Sequence, residues 1–235
     1  KRRTERNIRR VAFLYPMDSE TLRAAARRRL SVDTRALAGF RVVVAVCLLV
    51  DLSMRARDVT AFYTDAGVLP RDVLSELFPS LSRLSIHTVS GGVAAQVVLL
   101  SVSAAVACAL LVGFRSRTAA FVAFVLHLSL YARNPFVLNG GDSMLLVLLL
   151  LAPFLPLGAR WSFDAVGDGD ETAPDTVLRA PGVAALLFLV VIYGSNAVLR
   201  YRGEAWMSGT AVRRVFELET VTVLVGPYLA ELHVV

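Results

Sequence analysis

Polar and apolar positions separate into blocks along this chain. Residues Lys1 to Arg35 are charged and broken by Pro16. Long apolar runs follow, each near the ~20 residues that a bilayer core requires. They predict spans at Leu37 to Met54, Val93 to Phe114, Thr118 to Tyr131, Met144 to Leu157 and Gly182 to Leu199. The third run is short for a span and suits flanking extension or a thinned bilayer. Pro153 and Pro156 end the fourth. A further apolar stretch, Val221 to Val235, is interrupted by Gly226-Pro227 and reads as a re-entrant piece or a partial sixth span. The predicted fold class is an all-α membrane protein, a polytopic transmembrane helical bundle of about five spans.

Between the runs lie polar connections. Arg55 to Ser90 is long, with turn signals at Ala66-Gly67 and Leu69-Pro70. Arg115 and Arg117 mark a tight turn. Asp164 to Asp175 is acidic and rich in Gly and Asp, and reads as a polar loop. Before the first span, DSETL at Asp18 starts a helix with a capping residue and early acids. Two regions are expected: residues 1–35 as a basic cytoplasmic arm with an amphipathic helix, and 36–235 as the membrane domain. Lys1 and the apolar LHVV at the other end lead to the expectation of a longer chain.

Composition agrees with the pattern. Hydrophobic residues are 56% of the 235 and the mean hydropathy is +0.61, against about 45–50% apolar in a soluble domain. Net charge is +6. Much of the excess sits in the arm, with Arg2, Arg3, Arg6, Arg9 and Arg10 and then Arg23, Arg27, Arg28 and Arg29. That placement predicts contact with anionic lipid, not nucleic acid. It also sets the orientation: a multi-pass cell-membrane protein with a cytoplasmic N-terminus. Cys47 and Cys108 fall inside apolar runs and read as small buried hydrophobes. The three histidines, His87, His127 and His233, have no metal-binding spacing. No P-loop, GxGxxG or GxSxG occurs.

Ionisable residues in a span are costly and need a reason. Arg41 enters the first span at its cytoplasmic end and can snorkel. Asp51, His127, Tyr193, Ser195, Asn196 and Arg200 fall in outer halves of spans, and His87, Arg133 and Asp142 in or beside outer loops. On this topology they collect at one end, as a polar cavity open to the outside. Each also has a structural reading. Asp51 could pair with Arg55 or Arg133. His127 could be a hydrogen-bonded bundle histidine. NGGD, Asn139 to Asp142, suits a turn in which Asp142 caps the fourth helix. Trp206 suits an interfacial anchor.

Six segments occur in order: FYTDAGVLPR (Phe62 to Arg71), LSIH (Leu84 to His87), GFRSR (Gly113 to Arg117), RNPFVLNGGDS (Arg133 to Ser143), FLPLGARWSFD (Phe154 to Asp164) and RGEAWMSGTAV (Arg202 to Val212). Together they resemble the HTTM family, the transmembrane domain shared with vitamin K-dependent γ-glutamyl carboxylases and their microbial relatives. The resemblance runs from Asp33 past Val212. It implies a reactive site on the extracytoplasmic face and a quinone or hydroquinone of the vitamin K type. In the carboxylases a hydroquinone is oxidised to an epoxide, and the base so formed removes a glutamate γ-proton before carbon dioxide adds. Those enzymes use a lysine before the tryptophan to deprotonate the hydroquinone. The only lysine here is Lys1, and the matching stretch, YGSNAVLRYRGEAW, offers Asn196, Ala197 or Arg200. A carboxylase histidine aligns with Asp142.

Two functions therefore stand. One is a non-catalytic module that binds a quinone, a lipid or a partner protein, or a second copy of itself. The other is a carboxylase-like or quinone-handling enzyme with Asp142, His127 and Asn196 as its reactive groups. In either, His87, Arg133, Arg200, Tyr193, Trp206 and Asp51 would line the ligand site, with no metal.

Overall fold

A computed structural model of the chain describes residues 19–168, 175–178 and 180–216. Most of the arm and the apolar stretch at Val221 to Val235 lie outside the described residues. The chain forms two compact units, Lys1–Ala184 and Ala185–Val235.

The fold is all-α. Its long helices are α1 (Ser19–Leu30), α2 (Thr34–Arg57), α3 (Val93–Val112), α4 (Ser116–Arg133), α5 (Gly140–Leu151) and α6 (Ala180–Arg202). Three of them, α2, α3 and α6, are long and apolar enough to cross a membrane. α4 has 18 residues but carries Arg117, His127 and Arg133; α5 has 12 and a 3-10 turn, Ala152–Phe154, continues it.

Local chemistry fixes the ends. Asp33 caps α2, its carboxylate accepting from the Arg35 N–H at 2.7 Å. Gly113 ends α3 in the left-handed region at φ 74°, a conformation natural to glycine. An added Cβ there would collide with Arg41 and Ser162. Asn139 caps α5 in a capping box with Asp142.

In the first unit, α2 packs on α3, α3 on α4 and α4 on α5. The connections after α3 and α4 are short, so these neighbours run antiparallel. Alanines at 45, 107, 120 and 123, all buried, let the helices approach closely. They join Leu48, Leu110 and Leu149 in one apolar cluster, while Leu52, Leu100, Leu130, Tyr63 and Tyr131 form a second toward the other end. The outward faces are also apolar, with Val43, Val46, Val50, Val97, Val98 and Val102 exposed. Cys47 and Cys108 sit on those faces and are exposed. The expectation that they are buried was wrong, because a helix meant for lipid is apolar all round and its composition does not mark its inner face.

The loop between α2 and α3 is built, not loose. It holds helices Val59–Tyr63, Arg71–Leu77 and Pro79–Leu84 and a 3-10 turn at Ile86–Thr88. One element was not expected: Val32–Asp33 pairs antiparallel with Thr176–Val177. Asp164, expected in a polar loop, lies instead in the short helix Phe163–Asp168.

Candidate functional site

The antiparallel order brings one end each of α2, α3, α4 and α5 together. At that end Arg55 is the hub. Its Nε donates to both oxygens of Asp51 at 2.8 Å, one helical turn back. Its Nη1 donates to the Tyr63 hydroxyl and its Nη2 to Asp142 Oδ1, both at 2.7 Å. The guanidinium lies over the Tyr131 ring, 4.8 Å from its centre. Burial raises the Tyr63 hydroxyl pKa, against the pull of Arg55.

Asp142 was expected to cap the fourth helix; the cap is Asn139, and Asp142 completes its capping box from the third helical position. Oδ1 pairs with Arg55, and Oδ2 accepts from the Asn139 N–H at 2.7 Å. Asp51 pairs with Arg55, as one of its two expected partners.

His127 is 1% exposed. Its Nδ1 lies 3.1 Å from the Ala123 carbonyl. A carbonyl only accepts, so Nδ1 carries the proton and Nε2 holds a bare lone pair. That Nε2 has no partner. His127 meets Tyr131 edge to face at 5.9 Å. The Tyr131 hydroxyl, also buried, lies beside the Asp142 carboxylate without a hydrogen bond of normal geometry.

His87 repeats the pattern. Gln96 Nε2 donates to the carbonyls of His87 and Ser90, which turns Gln96 Oε1 to accept from His87 Nδ1 at 2.6 Å. His87 Nε2 is again bare and unpartnered. Burial lowers the His87 pKa, the Gln96 bond opposes this, and the Arg133 charge adds to the lowering. The ring is therefore neutral near pH 7.

Arg133 is wholly buried. Its Nη1 donates to the Leu69 carbonyl at 2.8 Å, and its Nη2 is 3.8 Å from Asp65. Asp65 belongs to Arg71, which meets both its oxygens and reaches the Thr88 and Val89 carbonyls. The Arg71 hydrogen bonds hold the Asp65 pKa low.

The other expected residues lie in the second unit. Tyr193, Asn196, Arg200 and Trp206 are exposed there. Asn196 donates to the Ile192 carbonyl of its own helix at 2.9 Å, and Arg200 stacks on Trp206 at 4.4 Å. Of the nine expected residues, the first unit joins Asp51 and Asp142 through Arg55 and holds His87, His127 and Arg133 at the same end. Tyr63, Gln96 and Tyr131 were missed, and Arg55 was expected only as a partner of Asp51. Tyr131 could have been found, one turn from His127.

The opposite end is organised differently. Arg41 does not snorkel: it is 1% exposed and donates to the carbonyls of Leu157, Arg160 and Trp161. Asp164 accepts from the Arg115 and Ser116 N–H groups at 2.7 Å and so caps α4. Burial pushes the Asp164 pKa up, but those bonds and Arg41 bring it below the ordinary value. A cavity of about 320 Å³ beside Ser116, Gly158 and Asp164 opens at this end. Among the described residues, no three His, Cys, Asp or Glu side chains stand together as a metal site needs.

Comparison with family models, with curated proteins and with solved structures returns no match.

Proposed function

We propose that this chain is a multi-pass membrane protein of the HTTM type whose Arg55 end faces outside and binds a hydroxyl-bearing ligand, a hydroquinone of the vitamin K type or a lipid. In this reading α2 to α6 are five spans and the arm is cytoplasmic. An 18-residue α4 is about 27 Å long, close to the ~30 Å hydrocarbon core. α5 is shorter and shields its polar start against α2 and α4, as a short span can. The basic residues before α2 and the Arg115/Arg117 turn then share the cytoplasmic side.

The observation that carries the ligand reading is the bare, buried Nε2 of His127. A buried acceptor with no partner costs about 1–3 kcal/mol, and the bundle gains nothing from it. A hydroquinone or lipid hydroxyl is the donor such an atom fits. The nearby Tyr131 ring offers a flat, apolar face.

Binding fits the geometry better than turnover. Both Asp142 oxygens are engaged, Oδ1 by Arg55 and Oδ2 by the Asn139 N–H, which leaves neither free to take a proton from a hydroquinone. Asn196 is an amide tied to its own helix.

The test is mass spectrometry of small molecules that co-purify with the protein in mild detergent. The wild type should retain a quinone or a hydroxylated lipid that His127→Leu loses. Equal retention by both would refute the assignment of His127.

A further inference from the structure

Arg133 poses a separate question. A guanidinium buried at 0% exposure normally has its donors met. Here only Nη1 is, by the Leu69 carbonyl. Nε and Nη2 have no hydrogen-bond partner. Those two nitrogens form the side-on fork that grips a carboxylate or phosphate through two parallel bonds. Among the described residues, the one carboxylate near it, Asp65, stands 3.8 Å off and is held by Arg71. Asp51 and Asp142 cannot substitute, since Arg55 and the Asn139 N–H occupy them.

Charge points the same way. Asp65, Arg71 and Arg133 sum to one excess positive charge, and exposed Asp72 is a further acid that acts on Arg71. A monovalent anion suits that balance better than a dianion. Beside this group stands His87, since Arg71 donates to the Thr88 and Val89 carbonyls that directly follow it, and it is near enough to feel the Arg133 charge. Its Nε2 is an unpartnered acceptor. An acceptor beside an anion site is unfavourable unless the anion brings its own O–H.

We propose that the Arg133 fork and His87 Nε2 form a site for a singly charged oxyanion that carries a neighbouring hydroxyl. A phosphodiester headgroup with a free alcohol and a dissolved hydroxy acid share this chemistry. Arg133 ends α4, at the level where lipid phosphates lie if α4 spans the bilayer. The site does not require a hydroquinone at His127.

The experiment uses the full chain in mild detergent and reads the shift in unfolding temperature. One arm compares phosphatidylglycerol with phosphatidylmethanol, which keeps the phosphodiester and lacks the hydroxyl. The other compares glycolate with acetate at equal ionic strength. The hydroxylated member of at least one pair should stabilise the wild type more, and that pair names the source. Arg133→Lys keeps the charge and loses the fork, and should weaken that binding about tenfold. His87→Asn keeps a donor for Gln96 and removes Nε2. It should abolish the preference for the hydroxyl while leaving anion binding in place. Should Arg133→Lys fail to fold, His87→Asn decides alone. No preference in either pair overturns the proposal, as does a preference that survives these variants unchanged.

Discussion

The two ends of α2 each bury an arginine, and they use it in opposite ways. Arg41 spends both Nη groups on the carbonyls of Leu157, Arg160 and Trp161. Next to it Gly113 leaves no room for a side chain, and Asp164 caps α4 with both oxygens. Most polar groups there close the backbone ends of a turn, which is structural work; Arg41 Nε and Ser116 Oγ are buried atoms left without a hydrogen-bond partner. At the other end Arg55 holds two carboxylates and a phenol, yet around it His87 Nε2, His127 Nε2 and two Arg133 nitrogens stay unpartnered. Buried polar groups that a fold does not use for itself need an explanation, and in the proposed function a ligand supplies it. A cavity of about 320 Å³ lies at the Arg41 end, but Asp164 and Arg117 beside it are already committed to backbone partners. Space alone therefore does not mark the site.

This contrast can be broken by substitution. Arg55→Met should have the largest effect, about 3–5 kcal/mol, because it strands two partly or fully buried carboxylates. Chemical denaturation in detergent would read it. Gly113→Ala should cost on the order of 3 kcal/mol, from a non-glycine residue at positive φ plus a collision with Arg41. Its damage should centre on the Arg41 end, so that any protein still folded keeps its ligand. Gly91→Ala sharpens the comparison, because an added Cβ would strike the Asp65 carboxylate. It should cost about 1–3 kcal/mol and loosen the loop over Arg133, seen as faster hydrogen exchange between residues 64 and 92. His127→Leu should change stability by less than about 1 kcal/mol or raise it, since it deletes an unsatisfied acceptor. A large loss would mean that the ring is structural.

Acid separates the ends more gently. His87 has a folded pKa below 6.5, so an opened state binds the proton first and opening is favoured as pH falls through 6.5. Asp65 and Asp164 both have lowered values, so their contributions are intact above 3.8 and fade only below it. Between pH 7 and pH 5, exchange should therefore rise around residues 85–96 and stay unchanged around 157–164.

The helices were legible because a membrane span writes itself as a run of apolar residues. α2 and α6 extend two or three residues past their predicted ends, since the flanking caps and arginines carry no apolar signal, while α3 begins where predicted and stops two residues short, before Gly113. The Asp51–Arg55 pair was legible from spacing alone, and so was the turn that starts α5, although its cap is Asn139 and Asp142 only completes the capping box. Arg41 was not: its carbonyl partners lie 116 to 120 residues away, and only a folded loop brings them back. Asp164 was hidden for the same reason. The histidine tautomers depend on Gln96 and on the Ala123 carbonyl, and no sequence pattern announces them. Which faces of α2 and α3 turn inward was equally hidden, as exposed Cys47 shows, because lipid accepts what a core accepts.

Hydrogen exchange with and without an added vitamin K-type hydroquinone tests the central claim most directly. Slower exchange at residues 85–96 and 127–142, with none at 113–117 or 157–164, is the predicted result. Protection confined to the Arg41 end, or none at either end, would contradict the assignment of the ligand site to the Arg55 end.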